Sequence, residues 1–230
     1  MLQVRERDER RGNPFLEVLA RPGAWRFSVA GAIGRMPMSM FGLGTVLLIA
    51  SVTGSYGLAG IVAATGSVGY AACAPQAARL ADRLGQRRVL VPLAAFFAAC
   101  TLALIGCAEL HAPLWALLIT GGLAGASMPS IGSMVRARWS ALLGDSPLLH
   151  TAFSLESVAD ETIFVIGPAV VTLLATEVYP AAGVGVAMVA CVAGTLLFAA
   201  QRRTVDARSH AETDREMIAL GKHPRDDRFT

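Results

Sequence analysis

From Phe27 to Ala78 the chain carries one charged side chain, Arg35, in a run that is otherwise apolar or small and neutral. No water-soluble fold easily hides so long an uncharged stretch, so this feature decides the class before any motif is read. Composition agrees. Hydrophobic residues make up 54% and charged residues 16%, where a soluble domain carries roughly 25% charge. The charges are also segregated, with 11 Asp, Glu, Lys or Arg gathered in residues 204–230. The chain reads as an all-α integral membrane protein. At about 20 residues per span, its 230 residues allow six or so helices with short loops and do not allow twelve.

Six apolar runs supply those helices: Trp25–Ala50, Tyr56–Ala78, Val89–Cys107, Leu114–Val135, Leu148–Ala175 and Pro180–Ala200. Each is long enough to cross at about 1.5 Å per residue. Each must be helical, because an unpaired backbone group in lipid finds no water to bond. Residues 1–24 read as a polar, Arg-rich cytoplasmic segment. A secretory signal would have a short apolar core soon after the start, whereas the first apolar run here is long enough to be a span. Residues 25–200 form the bundle, and 201–230 read as a charged, mostly disordered cytoplasmic tail.

Orientation follows from the arginines. The N-terminal segment, the stretches Arg79–Arg88 and Arg136–Asp145, and Arg202 with Arg203 are basic. The alternate loops at 51–55, 108–113 and 176–179 contain no Lys or Arg. Every basic connection is therefore on one side, which the positive-inside rule makes cytoplasmic. Both termini are expected there, and the cell membrane is the expected location. The net charge of +3 reflects this placement and does not indicate nucleic acid. Cys73, Cys100, Cys107 and Cys191 lie inside apolar runs, without a C-x-x-C or a neighbouring His. They read as small buried hydrophobes, so no metal, redox pair or other cofactor is expected.

The spans are rich in small residues. Gly121 and Gly125 make a small-x-x-x-small pair in the fourth; Gly31, Gly34, Gly42 and Gly44 lie in the first, Gly66 and Gly69 in the second. Such residues let backbones approach closely in lipid. Pro37, Pro129 and Pro168 fall within spans and are candidate kinks.

The connection between spans two and three reads Ala78-Arg79-Leu80-Ala81-Asp82-Arg83-Leu84-Gly85-Gln86-Arg87-Arg88. Physically it is a tight turn in which Gly85 permits positive φ and Asp82 can accept hydrogen bonds. Its residue order resembles the G-x-L-A-D-R-x-G-R-[KR] loop of the major facilitator superfamily of secondary transporters. Leu80, Ala81, Asp82, Arg83 and Gly85 match directly, and Arg87 and Arg88 match its basic end. Ala78 stands at the first Gly and Gln86 at the first basic position. The resemblance extends over the six-span block and implies that family's N-terminal bundle. It further implies that Asp82 is a conformational latch acid, with Arg83, Arg87 and Arg88 as basic partners or lipid contacts. Many members carry an R-x-x-x-G motif on span four. The corresponding Thr120–Gly125 has no Arg, which leaves the coupling ion, a proton included, open. Gly167-Pro168 on span five is similar to the G-P of the antiporter motif but lacks its repeated glycines.

Charges inside spans are expensive and functional by default. Span one has Arg35; span five has Glu156, Asp160 and Glu161. Glu156 and Asp160 are four apart and share a face. At about 1.5 Å per residue, Arg35 lies about 15 Å into its helix, Glu156 about 12 Å and Asp160 about 18 Å. Arg35 can therefore pair with Asp160 or Glu156, leaving the remaining acids to water. Two readings stay open: a solute or proton site, and a fixed ion-pair network that orients helices.

An enzyme is not expected. Gly125-Ala126-Ser127 mimics part of an intramembrane serine protease, but the one His that follows near a span, His150, sits at the margin of the fifth, so the dyad is absent. No P-loop is present, and the loop at Asp82 has one acid where a headgroup transferase needs several. The expected function is transport of a small solute. The resemblance implies two six-span halves, so the chain is expected to act as a half-transporter paired with a copy of itself or another half. The alternative is a truncated, inactive fragment.

Overall fold

The computed structural model describes residues 14–201; the expected charged tail and the first arginines, Arg5 to Arg11, lie outside the described residues. Eight helices are present among them: α1 (Pro14–Leu19), α2 (Ala24–Thr53), α3 (Tyr56–Leu84), α4 (Gln86–Glu109), α5 (Leu114–Ser127), α6 (Ile131–Leu143), α7 (Leu148–Glu177) and α8 (Ala182–Ala200). There is no strand among the described residues. Six helical segments are long and apolar enough to cross a membrane: α2, α3, α4, α5 with α6, α7 and α8.

Several helices outrun the apolar runs, into stretches where hydropathy falls. The basic stretch 79–88 is helical apart from Gly85, whose φ of 89° turns α3 into α4. That conformation suits a residue without Cβ. At the opposite end of α3 the turn is equally short. Gly54, with φ 67°, ends α2, and the Ser55 hydroxyl accepts the Leu58 N–H at 3.3 Å to begin α3, a serine N-cap.

The fourth span ends at Leu143 rather than Val135, and it is two helices. Pro129 has no N–H to donate, and Met128 before it takes an extended ψ of 122°, as a residue preceding proline does. The chain resumes as α6, which buries Val135, Arg138, Trp139 and Leu143 on one face. Pro37 and Pro168, by contrast, sit inside continuous helices. The segment read as polar also contains α1, a single short helix whose Val18 is fully buried in the same core as Trp139 and Phe198.

Helix α2 is the hub: it packs against α8, α7, α3 and α6. Two glycine seams set the closest approaches. A Cβ on Gly194 would collide with the backbone of Gly34, joining α8 to α2; a Cβ on Gly125 would collide with the backbone of Gly66, joining α5 to α3. Gly42 and Gly106, in contrast, face open space. Cys100 and Cys191 are buried, whereas Cys73 and Cys107 are half-buried, and all four are free thiols.

The seam at Gly125 predicts that Gly125→Ala lowers the stability of the purified chain by about 1–3 kcal/mol, the usual range for overpacking. Gly106→Ala, with room for its methyl, should be neutral or slightly stabilising because alanine is the better helix former. Thermal unfolding midpoints in detergent check the contrast.

Candidate functional site

Arg35 projects from the middle of α2, and its whole side chain is only 2% exposed. Its stem lies along Gly132 of α6, where a Cβ would sit 3.4 Å from the Arg35 Cδ. Its Nε donates to the Gly31 carbonyl at 3.2 Å, one helical turn back. The guanidinium then reaches α7. Nη2 donates to Glu156 Oε2 at 2.5 Å, and Nη1 lies 3.0 Å from Asp160 Oδ1. The second contact is an ion pair by distance but is poorly aligned for a hydrogen bond, so Nη1 has no hydrogen-bond acceptor.

Glu156 is fully buried. Besides Arg35, it accepts the Ser28 hydroxyl at 2.6 Å and the Trp139 indole N–H at 2.8 Å, both on Oε1. Both oxygens are thus occupied by donors from two other helices, the arrangement a buried carboxylate requires. Asp160, one turn further along, is 29% exposed. Its second oxygen accepts from Arg136 Nη2 at 3.3 Å, and the Arg136 side chain is itself 51% exposed. Two cations and two acids, on α2, α6 and α7, therefore form one chain of contacts from a sealed interior to an open edge.

The structure thus brings Arg35, Glu156 and Asp160 together and leaves Glu161 out. Glu161 is exposed and makes no ion pair among the described residues. Three members had not been read from the sequence. Arg136 counted as a loop charge, yet it stands three residues before Trp139, the spacing that puts both on one helical face. Ser28 is seven residues, or two turns, before Arg35 on the same face of α2.

Asp82, Arg83, Gly85, Arg87 and Arg88 lie together around the α3–α4 turn, all exposed, and away from Arg35. Asp82 makes no ion pair among the described residues. The turn is instead tied down through Gln86, whose side-chain oxygen accepts from Arg138 Nε at 3.1 Å. The Arg138 guanidinium stacks over the Phe198 ring at 3.6 Å, so one arginine joins α6, α4 and α8. At the other end of the bundle the Tyr179 hydroxyl donates to Glu109 Oε2 at 2.7 Å. That bond to Glu109, with some desolvation and the negative charge beside it, raises the Tyr179 phenol above its ordinary range.

A cleft of about 160 Å³ opens between α2, α3 and the break after α5. Pro37, Met38, Phe41, Ser67, Tyr70 and Met128 line it. It is smaller than the roughly 300–1,000 Å³ of sites for drug-sized ligands, and it begins two residues beyond Arg35 on α2. Among the described residues, no three of His, Cys, Asp and Glu gather to hold a metal ion.

The family model of the Major Facilitator Superfamily matches residues 27–228. No curated protein and no solved structure matches the chain.

Arg35→Ala is expected to cost about 3–5 kcal/mol, the range for stranding one member of a buried ion pair. Combining Arg35→Met with Glu156→Gln should recover most of that loss, because it removes both buried charges while keeping acceptors for Ser28 and Trp139. Unfolding midpoints of the three proteins in detergent measure this; an Arg35→Ala protein as stable as the parent would show that the pair orients nothing.

Proposed function

The chain belongs to the Major Facilitator Superfamily, and from that premise we propose that it is a secondary transporter, embedded in the cell membrane, that moves a small solute. The observation that carries the reading is the graded charge network on α2, α6 and α7. Glu156 is enclosed by three donors and is the structural acid. Asp160 is partly open and shared between Arg35 and Arg136, so it can exchange a partner for a solute or a proton without dismantling the pair beneath it. Ionisable groups inside spans mark such paths. The cleft beside Pro37 and Tyr70 supplies an apolar wall at the same level of α2.

In this reading the arginine-rich turns face the cytoplasm, as the positive-inside rule requires, and both termini lie on that side. Asp82, Arg83, Gly85, Arg87 and Arg88 act as the conformational latch. Their exposure supports the role, because a latch must be free to engage a surface outside its own bundle.

Rocking requires a second bundle. The distribution of burial favours a half-transporter that finds one. In the most apolar stretches of α3 and α7 only 17% of residues are buried, against 39–44% in the other four spans. Both helices pack against α2. A truncated, transport-inactive fragment is the alternative.

The full chain, reconstituted into vesicles loaded with a pH-sensitive dye, should show solute-dependent flux for at least one member of a panel of amino acids, sugars, organic anions and lipophilic cations. Asp160→Asn should reduce that flux at least tenfold while leaving the unfolding midpoint nearly unchanged. Full flux in Asp160→Asn would remove Asp160 from the path. Absence of counterflow, label uptake and dye response across the panel would favour the inactive fragment.

A further inference from the structure

Glu161 occupies the fourteenth position of the 30-residue helix α7, so it lies near mid-span. Its side chain is exposed and has no hydrogen bond or ion pair among the described residues. The arginines that serve the acids of α7 are already spent. Arg35 is shared between Glu156 and Asp160, and Arg136 pairs with Asp160. Two guanidinium groups thus face three carboxylates, and the carboxylate left over is the exposed one. An ionised group at that depth faces a water-filled path rather than lipid. The excess negative charge is therefore open to whatever enters that path.

The side chains around Glu161 add no donor. Ser157, one turn before it on the same face, is exposed, and its hydroxyl donates to the Phe153 carbonyl at 3.0 Å. Thr162, the next residue along, is also exposed and donates to the Val158 carbonyl at 2.8 Å. A hydroxyl carries one proton. Both protons are committed to the helix's own backbone, so what these residues offer is lone pairs. Phe164 and Val165, one turn further on, are 50% and 72% exposed, and a phenyl ring presents a negative face. The patch is electron-rich throughout: a carboxylate, two hydroxyl acceptors and an aromatic ring beside apolar surface.

We infer that this patch recognises the cationic end of the solute, a protonated amine carried on an apolar body. The inference rests on the transporter reading and names the class of solute. The ammonium N–H groups supply the donors that Glu161 and Ser157 lack, charge-assisted at the carboxylate, and the Phe164 ring adds a cation–π contact. An organic anion would meet only acceptors and an unpaired negative charge. A bare proton would satisfy the carboxylate and leave the hydroxyl oxygens and the ring unused.

The test measures binding to the full chain in detergent by calorimetry, near neutral pH, with probes of one shape: phenethylamine, phenethyl alcohol and phenylpropionate. The amine should bind about tenfold tighter than the alcohol, the worth of one charge-assisted hydrogen bond, and the carboxylate should not bind. Glu161→Gln should erase the difference between amine and alcohol while keeping the unfolding midpoint. Glu161→Asp, which keeps the charge, should retain most of it. Phe164→Leu should weaken the amine about threefold, the loss of an exposed cation–π contact. Equal binding of amine and alcohol by the parent, the result expected where a base from another helix bundle holds Glu161, would overturn the inference. So would tighter binding of phenylpropionate, or an undiminished amine preference in Glu161→Gln. Counterflow in vesicles separates this inference from the transporter reading. Amine binding without flux of any solute keeps the site and removes the transporter; flux of a sugar or an organic anion with no amine preference keeps the transporter and removes the site.

Discussion

The buried contact between Arg35 and Glu156 sets the geometry on which the rest of the bundle depends. Between helices in lipid there is no hydrophobic drive, since the acyl chains are as apolar as the side chains they replace. Something else must fix the rotation of each helix about its axis. Here a guanidinium on α2 and a carboxylate on α7 have each lost their water, and Trp139 of α6 completes the carboxylate's shell. Turning any of the three helices by one residue, about 100°, would leave a buried charge or donor without its partner. The clamp holds together a part of the bundle that apolar packing alone would leave free to slip.

Packing takes over on either side of the clamp. Along α2, Phe27 precedes Arg35 and meets Trp139 edge-on at 4.7 Å; Phe41 follows it and meets Phe97 at 5.3 Å. Each aromatic pair anchors its own cluster of buried residues. The glycine seams then bring in helices that the clamp does not touch, α8 through Gly34 and Gly194, and α3 with α5 through Gly66 and Gly125. The break at Pro129 reconciles the two devices. On one side of it α5 follows its glycine seam against α3, and on the other α6 delivers Trp139 to Glu156.

Much of this was legible in the sequence, and the exceptions share a cause. The six spans follow from apolar run length, and the approach of Arg35 to Glu156 and Asp160 follows from counting residues into two helices that start on one side. The split of span four, the helix at 14–19 and the roles of Arg136, Arg138 and Trp139 were not visible. Hydropathy treats an arginine as a sign of solvent, but Arg138 is enclosed because a phenylalanine ring and a glutamine oxygen take the place of water. Pro129 could be read as a kink, but whether the chain bends or breaks depends on what lies beside it. Pro37 and Pro168 stay inside continuous helices.

The same arrangement limits where motion can occur. Three helices joined through a sealed ion pair, with α8 seamed to α2 and α5 to α3 backbone to backbone, resist internal rearrangement; opening any one contact exposes a charge or leaves a void. If the bundle moves, the surfaces that change partners must be those that the internal contacts leave free: the faces of α3 and α7, the α3–α4 turn with Asp82, and the outer edge of the network at Asp160. Each of these is exposed or partly exposed, and each lies one residue or one turn from a fixed element. Glu156 and Asp160 show the principle at its smallest scale. Four residues apart on one helix and sharing one arginine, they differ in the donors that surround them. The acid closed in by serine, tryptophan and arginine is sealed among three helices, and the acid between two arginines stands at the open edge.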